Sequence, residues 1–230
     1  MSRPTLRFER TLWGDEVNLI AGVDEVGRGP LAGPVTAGAV ILPNGVRAGG
    51  RYRFLQRVND SKQLTADARE ELAELIWERA LAAAVSFVSV ETIDRIGIAE
   101  ASRQAMLGAI GDLQVRPQHL LIDAFRLRAG ALPQTPIIKG DALSISIAAA
   151  SIIAKVARDH VMDGHDGEHP GYGFTTNKGY YTAEHVSAIY ELGPCSLHRR
   201  SFSPVKELVS PQLQMWPAHS IVTPVPLAAI

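Results

Sequence analysis

The sequence predicts a mixed α/β domain. Three observations lead there: apolar runs of strand length at 18–24, 35–42, 84–90 and 119–123; longer stretches with apolar residues at helical spacing at 65–84, 99–113, 143–158 and 182–191; and the interleaving of the two kinds along the chain. No internal repeat or low-complexity tract points to a solenoid or propeller. At 230 residues, with 46% hydrophobic and 20% charged side chains, the chain can bury a real core without disulfides and is not fibrous or wholly disordered.

The first strand, 18–24, runs Asn-Leu-Ile-Ala-Gly-Val-Asp. A Gly/Pro-rich turn at 27–34 separates it from the second, 35–42, so the chain opens β-β. Thr65 is a candidate N-cap, with Asp67 in the first helical turn and Leu72, Leu75, Ile76 and Leu81 on one face. A strand follows at 84–90, a helix at 99–113, and a short apolar strand, His119–Asp123, ends in a carboxylate. The stretch 143–158 is rich in Ala, Ile and Val around most of a helical wheel, as expected of a helix buried against a sheet. Residues 163–177, full of Gly, Asp and His, read as a loop, and 182–191 as a further helix. The domain reading is an N-terminal extension at 1–17, a main α/β domain at 18–208 that includes a C-terminal helical part, and a tail at 209–230 carrying Pro211, Pro217, Pro224 and Pro226, expected to pack poorly.

Composition narrows the function classes. Cys195 stands alone, which rules out an intramolecular disulfide and a four-cysteine zinc site and favours a reducing, cytoplasmic setting. Residues 1–10 lack the apolar core of a secretory signal, and the stretches free of charge (29–46, 142–154 and 208–230) are too short or too broken by proline to span a bilayer as a helix. With 23 basic against 24 acidic residues the net charge is -1, so any site for a polyanion must be local. The basic residues divide into 18 Arg and 5 Lys, a bias that suits phosphate contacts but equally follows from base composition.

Four acids share one feature. Asp24 and Glu25 close the first strand, Asp123 closes a later one, and Asp141 begins the buried helix. Ends of neighbouring strands converge on one face of a sheet, so these acids can meet in space. Acids in such places are often merely solvated or capping. The apolar lead-in Leu120-Leu121-Ile122 argues otherwise for Asp123, because an unpaired charge is costly to bury there. Clustered carboxylates need a cation, and all-oxygen donors favour Mg²⁺ or Mn²⁺, as in a two-metal phosphoryl-transfer site.

Three rival motifs are weaker. His165-Asp-Gly-Glu168-His169 spells H-x-x-E-H, a zinc-peptidase pattern that needs a helix, and Gly164, Gly167 and Pro170 argue against one. The glycines at 27, 29 and 33 have the wrong spacing for a dinucleotide fingerprint, and a strand follows them where a helix should. Cys195 and His198 could pair as nucleophile and base, but a lone cysteine is more often structural.

The turn Asp24-Glu25-Val26-Gly27-Arg28-Gly29-Pro30-Leu31-Ala32-Gly33-Pro34 carries a resemblance. It continues through Asp60-Ser61-Lys62, Leu121-Ile122-Asp123-Ala124, Lys139-Gly140-Asp141-Ala142, the run 146–159, Tyr172-Gly173-Phe174, Lys178-Gly179-Tyr180 and His198-Arg199-Arg200-Ser201-Phe202. In this order, across about residues 19–206, the sequence closely resembles ribonuclease HII, the type 2 ribonuclease H family.

The resemblance implies an RNase H-like fold: a mixed five-stranded sheet flanked by helices, with a small C-terminal helical part. It also implies an endoribonuclease that cuts the RNA strand of RNA–DNA hybrids, incises 5′ of single ribonucleotides in duplex DNA, and leaves a 3′-hydroxyl and a 5′-phosphate. Asp24, Glu25, Asp123 and Asp141 match the acids that hold two divalent ions. Gly27, Arg28 and Gly29 match the turn whose backbone reads the ribose 2′-hydroxyl, and Tyr180 the ring that stacks on the sugar. Small residues beside Arg28 suit a close main-chain approach to a substrate. Lys62, Lys139 and Lys178 are candidate phosphate contacts, followed by Arg199 and Arg200. A monomer acting on RNA–DNA hybrid or ribonucleotide-containing duplex DNA, without a membrane, is expected. The alternative is a non-catalytic nucleic-acid binder of the same fold. Asn177 stands where the family often has His, and Tyr181 where Gly or Pro is usual, which leaves open which tyrosine stacks. The tail shows no clamp-binding box of the Gln-x-x-aliphatic-x-x-aromatic-aromatic kind.

Overall fold

The computed structural model describes residues 3–128 and 130–210. Five strands form one sheet: β1 (Ile20–Val26), β2 (Val35–Ile41), β3 (Ala82–Val88), β4 (His119–Asp123) and β5 (Gln134–Ile137). Their order is β3-β2-β1-β4-β5. The first three strands pair antiparallel, while β4 and β5 run parallel to β1. The helices are α1 (Arg7–Gly14), α2 (Ala66–Arg79), α3 (Val90–Ile96), α4 (Ile98–Gly111), α5 (Ile145–Asp166), α6 (Phe174–Asn177), α7 (Ala183–Leu192) and α8 (Val205–Val209).

Strand periodicity divides the core between the two faces of the sheet. Ala21, Val23, Ala39 and Ile41 pack with Ala101, Ala105 and Met106 of α4. On the other face, Val40 packs with Leu72 and Ile76 of α2 and with Ala149, Ile152 and Ile153 of α5. Gly22 and Gly38 set how deep α5 lies. A Cβ on Gly22 would fall 2.1 Å from the Ser146 carbonyl carbon, and one on Gly38 2.3 Å from the Ala150 oxygen. The helix backbone therefore rests on the strands themselves, which puts the α5 residues 151, 155 and 158 close to the strand ends. Truncating a fully buried leucine of this core, such as Leu72, costs about 2–5 kcal/mol.

Several expectations need correction. The helix expected at 65–84 stops at Arg79, and β3 begins at Ala82, so half-exposed Leu81 is a connector residue. The helix expected to end at 158 continues to Asp166, and α6 occupies part of the stretch 163–177 read as a loop. Gly164 is tolerated inside α5 because buried packing along the preceding turns outweighs its weak helix propensity. Among the elements left unread are α1, α3, capped by Ser89 on the Thr92 N–H, and β5. Pro136 disguises β5, yet β5 is an edge strand, where a missing N–H is tolerated.

The stretch 1–17, read as an extension, is docked on the core from Arg3 onward. Leu6 is buried, and Phe8, Leu12, Trp13 and Val17 pack on Ile20, Leu121, Ile137 and Ile147. Buried Glu9 accepts from Ser144 Oγ, Ser146 Oγ and the Ser146 N–H at the start of α5. Of the tail, residues 211–230 lie outside the described residues, together with the proline and clamp-box readings made on them. Among the described residues no helix is long and apolar enough to cross a membrane.

Candidate active site

Asp24 and Glu25 lie near the end of β1, and Asp123 is the last residue of the adjacent parallel β4. The pairing Val23↔Ile122 sets Asp24 and Asp123 side by side, one residue further along. Asp141 comes from a short 3-10 turn, Gly140–Ala142, that follows the neighbouring β5. Lys139, just before it, adopts a left-handed backbone (φ 57°), and the Gly140 N–H that follows donates to Asp123 Oδ1 at 2.6 Å.

All four acids line a single cavity of about 240 Å³. Gly27, Arg28, Gly29, Ser61, Lys62, Ser151, Lys155 and Tyr180 line it as well. Its floor is electrostatically strained. Asp24 is only 5% exposed, and burial, with further contributions from Glu25, Asp123 and Asp141, holds its carboxyl well above the usual range, against a hydrogen bond from Ser151. Burial likewise pushes Glu25 up, although Arg28 binds its Oε1 at 3.1 Å, and its buried Oε2 has no hydrogen-bond partner. Burial raises Asp123 and Asp141 too, with Lys62 opposing in both cases. Among the described residues no three His, Cys, Asp or Glu side chains stand as a preformed metal cluster. The orphaned Glu25 oxygen, buried Asp24 and an all-oxygen donor set fit a hard divalent cation.

The rim is held differently. Fully buried Arg199 donates to the carbonyls of Gly27 (2.6 Å), Arg28 (2.9 Å), Gly33 (2.8 and 3.0 Å) and Pro34 (3.2 Å). It cannot meet a phosphate, and the expectation that it would is corrected. Arg200 is exposed and its N–H donates to Asp94, on α3. The Tyr180 loop docks on the same turn through N–H donation from Leu31 and Ala32 to the Gly179 carbonyl. Asn177 closes that loop, donating to the Tyr172 carbonyl at 2.7 Å and accepting from the Gly179 N–H at 2.7 Å. Tyr180 lines the cavity, whereas Tyr181, 66% exposed, does not.

The three lysines part company. Lys62 lines the cavity; Lys139 is exposed and outside its lining; Lys178 is bound through Nζ to Asp163. A fourth, Lys155, was missed. It lines the cavity, bonds Asp159 at 2.6 Å, and lies 5.4 Å from the Tyr180 ring centroid. The signal was available: Ser151, Lys155 and Asp159 recur every four residues, a polar stripe on an otherwise apolar helix.

Neither rival site has the geometry it needs. His165 sits in the last turn of α5 and pairs with Glu168, which with His169 lies beyond the helix end. Cys195 and His198 are in contact, at 3.1 Å, but burial raises the thiol pKa, while burial and His185 lower the His198 imidazole to about 4, so no thiolate–imidazolium pair forms. These groups instead form a relay. His185 Nδ1 donates to the Tyr180 carbonyl at 2.8 Å, which leaves its Nε2 to accept from His198 Nε2 at 3.1 Å, and His198 Nδ1 to accept from the Cys195 N–H at 3.0 Å.

With this geometry in hand, the family model for ribonuclease HII matches residues 21–205. The chain belongs to the ribonuclease HII family. Ribonuclease HII of Moorella thermoacetica is 53% identical over 195 residues, 85% of this chain and 91% of that protein. That of Geobacter metallireducens is 50% identical over 210 residues, 88% and 95% of the two chains. Among solved structures, ribonuclease H2 from Pyrococcus horikoshii OT3 superposes with a TM-score of 0.69 at 24% identity, covering 83% of this chain and 96% of that one, which supports the RNase H-like fold. The ribonuclease HII of a PCNA:RNase HII complex from Archaeoglobus fulgidus gives 0.65 at 26% identity, over 79% and 93% of the two chains. As a ribonuclease HII family member the chain is an endoribonuclease, with RNA–DNA hybrid as its substrate class.

Proposed function

We propose that this ribonuclease HII family member incises the RNA strand 5′ of the ribonucleotide, single ribonucleotides in duplex DNA included, leaving a 3′-hydroxyl and a 5′-phosphate. One observation carries this reading: four carboxylates from three elements line the same cavity as a glycine turn and an aromatic ring suited to a sugar. Asp24, Glu25, Asp123 and Asp141 are the residues that would hold two divalent ions, Mg²⁺ or Mn²⁺. When bound, such ions supply Lewis-acid charge stabilisation at the scissile phosphate.

The remaining roles belong to the chain itself. The Gly27–Arg28–Gly29 backbone approaches the sugar and reads its 2′-hydroxyl, the group that separates RNA from DNA. Tyr180 stacks on that sugar and orients it. Lys62 and Lys155 present ammonium groups to the backbone phosphates, and Ser151 holds Asp24 in place. Of the other two lysines, Lys139 lies outside the cavity lining, and Lys178 would have to leave Asp163 to reach a phosphate. The lone cysteine favours a cytoplasmic enzyme, acting as a monomer.

The test is a labelled duplex with one internal ribonucleotide, incubated with and without Mg²⁺ or Mn²⁺, and the cut mapped to the nucleotide. The expected result is metal-dependent incision on the 5′ side of the ribonucleotide. Binding without a cut under either ion would favour the non-catalytic alternative.

A further inference from the structure

Arg158, on α5, is fully buried and does not line the cavity. Its guanidinium lies in the seam between the glycine turn and the Tyr180 loop and donates to both. Nε reaches the Pro34 carbonyl at 3.0 Å and Nη2 the Ala32 carbonyl at 3.0 Å, on the turn side. Nη1 reaches the Lys178 carbonyl at 2.9 Å, two residues before Tyr180. The guanidinium carbon lies 5.6 Å from the Tyr180 ring centroid. The same side chain runs against Gly27, where a Cβ would fall 2.3 Å from Nε and 2.7 Å from Cδ. One planar group thus touches the first glycine of the turn, the turn's far carbonyls, and both backbone and ring of the opposing loop.

Burying a guanidinium on carbonyls alone is costly, and an apolar side chain of similar volume would fill the seam more cheaply. Asp159, the adjacent acid, is engaged by Lys155 at 2.6 Å and Arg69 at 3.8 Å. What arginine supplies that an apolar side chain does not is a rigid fork that fixes the separation of two segments. We infer that Arg158 is a positioning residue for ribose selectivity: its guanidinium sets the spacing between the Gly27–Gly29 turn and the Tyr180 ring, and so the width of the slot that accepts the sugar. This rests on the assignment of turn and ring to the ribose under the proposed function. It makes a distinctive demand. A long hybrid offers a 2′-hydroxyl in every register, so a misshapen slot still finds productive placements, whereas a single ribonucleotide offers one.

The experiment compares kcat and KM of the full chain and its variants on a single-ribonucleotide duplex and on a long RNA–DNA hybrid. Arg158→Met and Arg158→Lys are each expected to lower kcat on the single-ribonucleotide duplex by about 10- to 100-fold with KM little changed, and kcat on the hybrid by less than about 5-fold. Gly179→Ala provides an independent wedge in the same seam, because its Cβ would lie 2.5 Å from the Ala32 oxygen, and it should shift the ratio in the same direction. Leu72→Ala, in the core between α2 and the sheet, controls for general destabilisation and should leave the ratio unchanged. The inference is overturned if Arg158→Lys keeps the normal ratio, if Gly179→Ala leaves it unmoved, or if Leu72→Ala shifts it equally. An unaltered protein that treats ribonucleotide-containing and all-DNA duplexes alike would overturn the ribose reading itself, a result distinct from variants that keep a normal ratio.

Discussion

At the floor of the cavity, Asp24, Glu25, Asp123 and Asp141 are each pushed toward the protonated form, and one buried Glu25 oxygen has no hydrogen-bond partner. At the rim, the turn carbonyls of Gly27, Arg28, Ala32, Gly33 and Pro34 all accept from the buried guanidiniums of Arg158 and Arg199. The floor thus offers carboxylate oxygens suited to a cation, while the carbonyls of the rim are already engaged by arginines. A site that must take up mobile ions gains from unsatisfied donors; one that must measure a sugar gains from rigidity.

The largest expected effect would break the floor. Asp141→Asn should lower cleavage by at least about 10³-fold, roughly 4 kcal/mol of transition-state stabilisation, while duplex binding persists in a mobility-shift assay. Turnover near the unaltered rate would remove Asp141 from the set. At the rim, Tyr180→Ala should cost about 10- to 100-fold in kcat/KM on a single-ribonucleotide duplex, and Tyr181→Ala less than about 2-fold. The reverse order would transfer the stacking role to Tyr181.

A smaller effect sharpens the contrast through stability. Asp24 has a raised folded-state pKa, so over the range from its ordinary value of 3.8 up to that raised value the folded state binds more protons than the unfolded one, and stability falls as pH rises. Above the raised value the penalty is fully present. Without divalent ions, Asp24→Asn should therefore melt higher than the unaltered protein at pH 7 and show a weaker pH dependence. Mg²⁺ should raise the melting temperature of the unaltered protein and do so less for the variant. Equal Mg²⁺ responses in the two proteins would contradict the assignment of Asp24 to the ion. The smallest effect concerns salt. Lys62→Ala should flatten the slope of log affinity against log salt by about 0.9, the value for one phosphate contact, and Lys139→Ala should leave it nearly unchanged. Equal slopes for the two variants would erase the distinction between a lysine in the cavity and one outside it.

Much of this arrangement was legible in the chain, for local reasons. The apolar run that ends in Asp123 and the Asp24-Glu25 pair before the glycine turn are strand ends by their own composition. The Ala-rich helix reads as buried because nothing polar interrupts most of its wheel. Pro136 hid β5, and α1 was hidden because its amphipathic face matters only once the sheet exists to receive Phe8, Leu12 and Trp13. Lys178 and Arg199 read as candidate phosphate contacts. The ion pair with Asp163 and the burial of Arg199 depend on contacts 15 and 166 positions away, beyond any local pattern.

The sequence by itself determined most of the strand and helix types, which four acids could meet, and the family, because side-chain period and residue identity are local properties. Which cations face the cavity and which serve as internal struts was decided only by the tertiary structure. The reason is physical: a guanidinium or ammonium goes where acceptors are, and in this protein those acceptors are carbonyls and carboxylates brought together by folding.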